Sequence, residues 1–198
     1  MKILSASAAA ALCLTLAAAA PAQTAAAQSR NTPAVPSASD KQTIAAFDKR
    51  LKDYVALRER IEGRMAKLSK DATPEQIEAH KTALQAKVRA ARMGARPGQF
   101  FTPDIAELIR ATIKDEFKGK ERQELRRDVL VEAENKAVPL RVNYPYPDTQ
   151  ELLEMPPPLL LRLPQLPQQV RYRFVGRNML LVDRENGLII DYMTDALP

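Results

Sequence analysis

"YRFVGRNMLLVDRENGLIIDYM", residues 172–193, decides the fold. Val170, Tyr172 and Phe174 alternate with Arg171, Arg173 and Val175, a period of two that suits a strand with one wetter face. "GRN" then turns the chain into "MLLVD", and "RENG" turns it into "LIIDYM". Asn186-Gly187 suits the positive φ that tight hairpin turns demand. The pattern predicts a three-stranded antiparallel meander. Gly176 and Gly187 read as turn residues, because a phosphate cradle places its glycines at a helix N-terminus and no helix follows either loop.

Upstream lies "MPPPLLLRLPQLPQQ", residues 155–169, with five prolines among six leucine or methionine positions. Proline breaks helices and favours polyproline II. Leucines are costly to leave in water, so this stretch is expected to be a rigid strap across a helical domain. Before it, "VPLRVNYPYPD" reads as extended, with one strand over residues 140–144.

The helical domain starts where the composition changes. Ile44, Phe47, Leu51, Tyr54, Arg58, Ile61, Met65 and Leu68 recur at spacings of three and four. That is a heptad seam broken by one arginine, over roughly 30 residues of helix. Ser39 or Asp40 is the expected cap. Arg58 is expected to pack its stem and send its head to water; the alternative is that it fixes register or meets an acidic partner. "DATPEQIEAH" opens a second helix, with Thr73 as cap, Pro74 first and Gln76 closing a capping box. Its stripe is Ile77, Leu84, Val88 and Ala91, and Gly94 is the expected left-handed terminator. "FTPDIAELIRATIKDEF" opens a third, with Thr102 as cap and Ile105, Leu108, Ile109, Ile113 and Phe117 as stripe. "KERQELRRDVLVEAENK" resumes helical spacing after Gly119. A short connection joins the first two helices, so they should form an antiparallel hairpin.

The N-terminus bears on compartment. Lys2, then "ILSASAAAALCLTLAAA", then Ala20-Pro21-Ala22 is the pattern of a cleavable signal peptide. Alanine is too weakly apolar for a membrane anchor and no basic cluster follows. Leu12 before Cys13 argues against lipidation. Cleavage is expected after Ala22, with residues 25–27 as an alternative. It would remove the only cysteine, and with it any disulfide or thiolate chemistry. Residues 23–39 are mostly Ala, Gln, Ser, Thr and Pro with almost nothing to bury, as in disordered linkers. The formal charge of +6 would raise nucleic acid as a partner, but export argues against it. An envelope protein or an anionic envelope surface is the expected counterpart.

The last 25 to 30 residues or so, with aromatic-x-aromatic-Val-Gly, an apolar pair, a turn closing on Gly, then Ile or Val, resemble the C-terminal hairpin of RcnB-like periplasmic proteins. That resemblance implies a role in nickel and cobalt homeostasis. The order of signal, charged helices, "LPxLP" and meander is similar to exported bacterial proteins with no assigned activity. "TPEQIEAHKTALQAK" is similar to helix openings in Spy/CpxP-like periplasmic chaperones. None of these carries a catalytic or metal-binding residue across.

The residues themselves offer little chemistry. His80 is the only histidine, so a transition-metal site lacks ligands, and His80 reads as a residue at the edge of a helix seam. No Gly-x-Ser-x-Gly occurs. The carboxylate pairs Asp115/Glu116, Glu121/Glu124 and Asp183/Glu185 lie in charge-rich stretches and read as solvated. No catalytic, cofactor-binding or metal residue is assigned, no cofactor is expected, and the chain is not expected to be an enzyme.

The expected fold is α+β: signal peptide 1–22, linker 23–39, α-helical domain 40–137, Pro-rich strap 138–168 and a small antiparallel meander 169–198. The expected role is a non-catalytic binding or accessory module in the envelope, periplasmic or extracellular, acting through a helical surface. A metal-stress accessory protein is the alternative and a hydrolase the third reading.

Overall fold

A computed structural model describes residues 37–118, 139–146 and 157–197. The expected signal peptide, residues 23–36 of the linker, the helical spacing resumed after Gly119 with Glu121 and Glu124, and residues 147–156 lie outside that description. The described residues all belong to one unit, Pro36–Pro198. The fold is α+β; the described residues form three long helices, one helical turn and a three-stranded antiparallel sheet.

Helix α1 spans Ala38–Glu62. Ser37, two residues earlier than expected and inside the stretch read as linker, caps it. Its hydroxyl accepts from the Asp40 N–H while Asp40 accepts from the Ser37 N–H, a reciprocal pair that satisfies two donors the first turn leaves open. Phe47, Leu51, Tyr54 and Arg58 are buried along its seam. The helix ends sooner than the seam implied. Gly63 takes the C-cap, a residue that weakens any helix continued through it, and Leu68 is 41% exposed. Helix α2, Pro74–Ala91, starts with the Thr73–Gln76 capping box expected of it. Only Leu84 and Val88 of its stripe are buried. Arg92, rather than Gly94, is its C-cap, and the left-handed residue in this loop is Gly98, at φ 84°. Helix α3, Pro103–Glu116, buries Ile105, Ile109 and Ile113. Thr102 precedes it in extended conformation but makes no side-chain cap.

Strands β1 (Val170–Val175), β2 (Asn178–Asp183) and β3 (Ile189–Met193) form a sheet in the order β1-β2-β3. Phe174 stands opposite Met179, and Leu181 opposite Asp191. A bulge follows, because Val182 pairs with Ile189 and leaves Ile190 as the extra residue. One sheet face carries Tyr172, Phe174, Met179, Leu181 and Ile190 into a core shared with Phe47 and Leu51 of α1, Leu84 of α2 and Ile109 of α3. Phe47 stacks on Phe101 with ring centres 6.1 Å apart. The other face gathers Val175, Leu180, Val182 and Ile189 with Tyr146. The helices and the sheet thus share one core, where the sequence read as a helical domain and a separate meander.

Two extended-looking stretches differ from expectation. Residues 140–144 make no strand. The Asn143 N–H donates to Ile189 O at 2.8 Å, and Tyr144 O accepts from the Ile189 N–H at 2.9 Å, but only Pro145 bridges Leu188. Asn143 is left-handed, φ 65°, and Pro145 has no N–H to extend a ladder. The Pro-rich stretch contains a helical turn, α4, at Pro157–Leu160. Prolines are tolerated there because first-turn N–H groups have no intrahelical acceptor anyway. Leu159 and Leu163 are buried in the shared core, and the Tyr172 hydroxyl donates to Pro164 O at 3.0 Å. This part of the stretch is therefore strapped to helix and sheet alike.

A candidate binding groove and the polar ties that shape it

Two buried carboxylates clamp the sheet to the helices. Asp183, at the end of β2, is fully buried. Its Oδ2 accepts from the Tyr54 hydroxyl at 2.7 Å and from Arg58 Nε at 3.1 Å. Its Oδ1 accepts from the N–H groups of Glu185 and Asn186. Arg58 also pairs with Glu62 at 2.9 Å and with Glu185. Arg58 is 5% exposed, so its head does not reach water as expected; it spends its donors across the core. Of the Asp183/Glu185 pair, Asp183 is not solvated, whereas Glu185 is exposed and meets Arg58 from the surface. Glu116 is buried too, and Arg162 bonds both Glu116, at 2.8 Å, and Asp115, at 2.6 Å. That guanidinium holds the Asp115 carboxyl below its ordinary range.

Asp191 is the second clamp. The bulge at Ile190 aims it toward the loop before α3, where Oδ1 accepts from Gly98 N–H and Oδ2 from the N–H groups of Phe100 and Phe101, at 2.7–2.9 Å. Beside it, Arg92 lies over the rings of Tyr54 and Phe100 and donates to Ile190 O. Desolvation lowers the Arg92 pKa from its ordinary value, and Tyr54 and Asp191 oppose that shift. The "RENG" turn is held from both sides, with Gln85 of α2 donating to Asn186 O at 2.7 Å. Gly187 has φ 68° and open space around its Cβ position. Both hairpin loops are thus turns; the first also anchors the C-terminus, through Arg177 O to the N–H groups of Ala196 and Leu197.

Tyr54 is pushed far above its ordinary pKa, by burial first and by Asp183 second, and Tyr172 by burial. An unfolded tyrosine ionises near pH 10. The folded state therefore holds these protons while the unfolded state loses them. Stability is unaffected below pH ~10 and falls as pH rises above it. In a spectrophotometric titration of the five tyrosines, Tyr54 and Tyr172 should stay silent at pH ~11 until the chain unfolds. Ionisation of all five in a protein that still shows its native circular dichroism would contradict their burial.

Outside these ties lies a groove of about 600 Å³ between the end of α2 and residues 140–144. Met93, Pro97, Leu140 and Val142 give it apolar walls. Its ionisable side chains are Arg89, Arg141, Tyr144 and Tyr192, with no carboxylate among its lining residues. Asn143 fixes the wall, its amide donating to the carbonyls of Arg89 and Arg92 at 2.9 and 3.0 Å and closing the end of α2. The guanidinium carbons of Arg89 and Arg141 stand 4.2 and 3.8 Å from the Tyr144 ring centre. Among the described residues neither arginine has a carboxylate partner. Stacking on one ring restricts both side chains and leaves their N–H edges available.

None of these four side chains stood out in the sequence as a site. The signal that could have found them is the basic–aromatic interleaving of "RVNYPY", residues 141–146; Arg89 reads as ordinary wet helix surface. His80 sits half-buried on α2. Among the described residues no three His, Cys, Asp or Glu side chains form a metal-holding group, and no helix is long and apolar enough to cross a membrane. No protein-family model, curated protein or solved structure matches this chain.

Proposed function

We propose that the protein is an exported, non-catalytic binding module of the cell envelope, most simply periplasmic, that holds its partner in the groove at the end of α2. The groove carries this reading: two guanidiniums that have no carboxylate partner among the described residues, beside apolar walls, on a frame whose buried aspartates are fully engaged. Asp183 and Asp191 each accept three or more hydrogen bonds, so neither is a free carboxyl poised for acid–base work. Export is supported by the signal-like N-terminus and the linker composition that follows it.

A photo-crosslinking residue in place of Met93, which is 86% exposed in the groove, tests both parts in intact cells. The expected adduct forms at Met93 and not at Leu161, which is 88% exposed elsewhere, and the adducted chain lacks residues 1–22 by mass. An intact N-terminus on envelope-associated protein would defeat the export reading. Equal labelling at the two positions would defeat the groove.

A further inference from the structure

The chemistry of the groove narrows what it takes. We propose that it binds an extended acidic segment of another envelope protein, with two carboxylates spaced two residues apart pairing with Arg89 and Arg141. The inference rests on the reading above, that this groove is where the protein binds.

Three observations favour such a segment. First, both guanidiniums lie against the Tyr144 ring, so the two centroid distances together limit their separation to about 8 Å, within one screening length at physiological salt. Like charges this close, with no acid among the described residues of the groove wall, favour an occupant bearing more than one negative charge. Second, an extended chain rises about 3.3 Å per residue and points side chains i and i+2 the same way, roughly 6.6 Å apart. That spacing lies within the limit the shared ring sets on the two cations. Stacked arginines present a planar N–H edge, which matches a carboxylate with two parallel hydrogen bonds. Third, Met93, Pro97 and Leu140 offer apolar contact beside the cations, suited to neighbouring side chains of a peptide. A bilayer surface is flat, and it would meet the exposed Met93 and Arg141 but leave the deeper lining of a recess of about 600 Å³ without contact. A single chain can enter.

The test uses the purified full chain and fluorescein-labelled octapeptides bearing Glu-Leu-Glu or Gln-Leu-Gln, followed by anisotropy. The Glu peptide should bind at least about tenfold more tightly than its Gln counterpart, and more weakly as salt rises. Arg89→Gln and Arg141→Gln should each lose about tenfold, a typical size for one charge-assisted pair. The double variant should lose binding altogether while its thermal melt stays unchanged. Equal binding of the two peptides, or undiminished binding by a folded double variant, overturns the proposal. So does the pattern in which phosphatidylglycerol vesicles bind in an arginine-dependent way and the Glu peptide does not. The Met93 adduct is read separately: if it forms while the peptide fails, the acidic segment is wrong and the groove stands.

Discussion

Asp183→Ala should destabilise the protein by about 3–5 kcal/mol, the cost of leaving a buried charge without its partner. Arg58 is 5% exposed and would retain only Glu62 and Glu185, both at the edge of the core. Tyr54 would keep a buried hydroxyl whose acceptor is gone. At roughly 2–4 °C per kcal/mol for a chain of this size, the thermal midpoint should drop by about 10 °C or more. The control removes the side chains of the polar set, while the Glu185 and Asn186 N–H groups still lose Asp183 as acceptor. Arg58→Met with Asp183→Leu and Tyr54→Phe should therefore recover the part of that loss that belongs to the ion pair, since matched apolar groups can replace a buried ion pair at little cost. Arg58→Met and Asp183→Ala should also be strongly non-additive in a double-mutant cycle. Additive effects, or a loss below about 1 kcal/mol for Asp183→Ala, would show that the network does not clamp the sheet to α1.

Asp191→Ala should cost about 3 kcal/mol or more by a different route. It strands the N–H groups of Gly98, Phe100 and Phe101 in a buried site, and each unsatisfied donor costs about 1–3 kcal/mol. Asp191→Asn should recover part of the loss, because its amide oxygen can still accept from Phe100 and Phe101 while its nitrogen faces the Gly98 N–H. The local signature is faster amide exchange at Phe100 and Phe101, which seat α3 against Phe47 and Tyr54. Unchanged exchange there, with an unchanged melt, would contradict the clamp.

These two aspartates mark the boundary of what the sequence discloses. The period of two over residues 170–175 and the seam through Phe47, Leu51 and Tyr54 both reflect burial on one side, and a local pattern reports that directly. What faces a residue across the core is another matter. Arg58 occupied a seam position, which was readable, but its partner lies 125 residues away. The acids in "MLLVD" and "LIIDY", each at the end of an apolar run, were the available clue that a buried strand carried a charge and therefore needed a donor. Residues 140–144 looked like a strand because nothing local announces that Asn143 will turn left-handed to close the end of α2. Pro157 and Pro158 read as helix breakers because their position relative to a first turn is set by Leu159 and Leu163 finding the core.

The groove was the least legible part. Arg89 on α2, Arg141 and Tyr144 on an irregular segment and Tyr192 on β3 are each unremarkable surface residues in one dimension. The sheet brings them together: the Asn143 N–H and Tyr144 O meet Ile189 at the start of β3, and Asn143 ties the same segment to the end of α2. Fold and candidate function are coupled through that one asparagine.

In the binding mode proposed, the positive charge of this groove, which has no carboxylate partner among the described residues, holds the partner. The most direct test of that mode places the photo-crosslinking residue at Met93 and reverses one charge, Arg141→Glu, in the same chain in intact cells. Arg141 is exposed and its guanidinium lies over the Tyr144 ring at the surface, so the variant should accumulate and melt as the parent does. The account predicts that the Met93 adduct disappears on this reversal. An adduct of undiminished yield in a folded Arg141→Glu chain would contradict it.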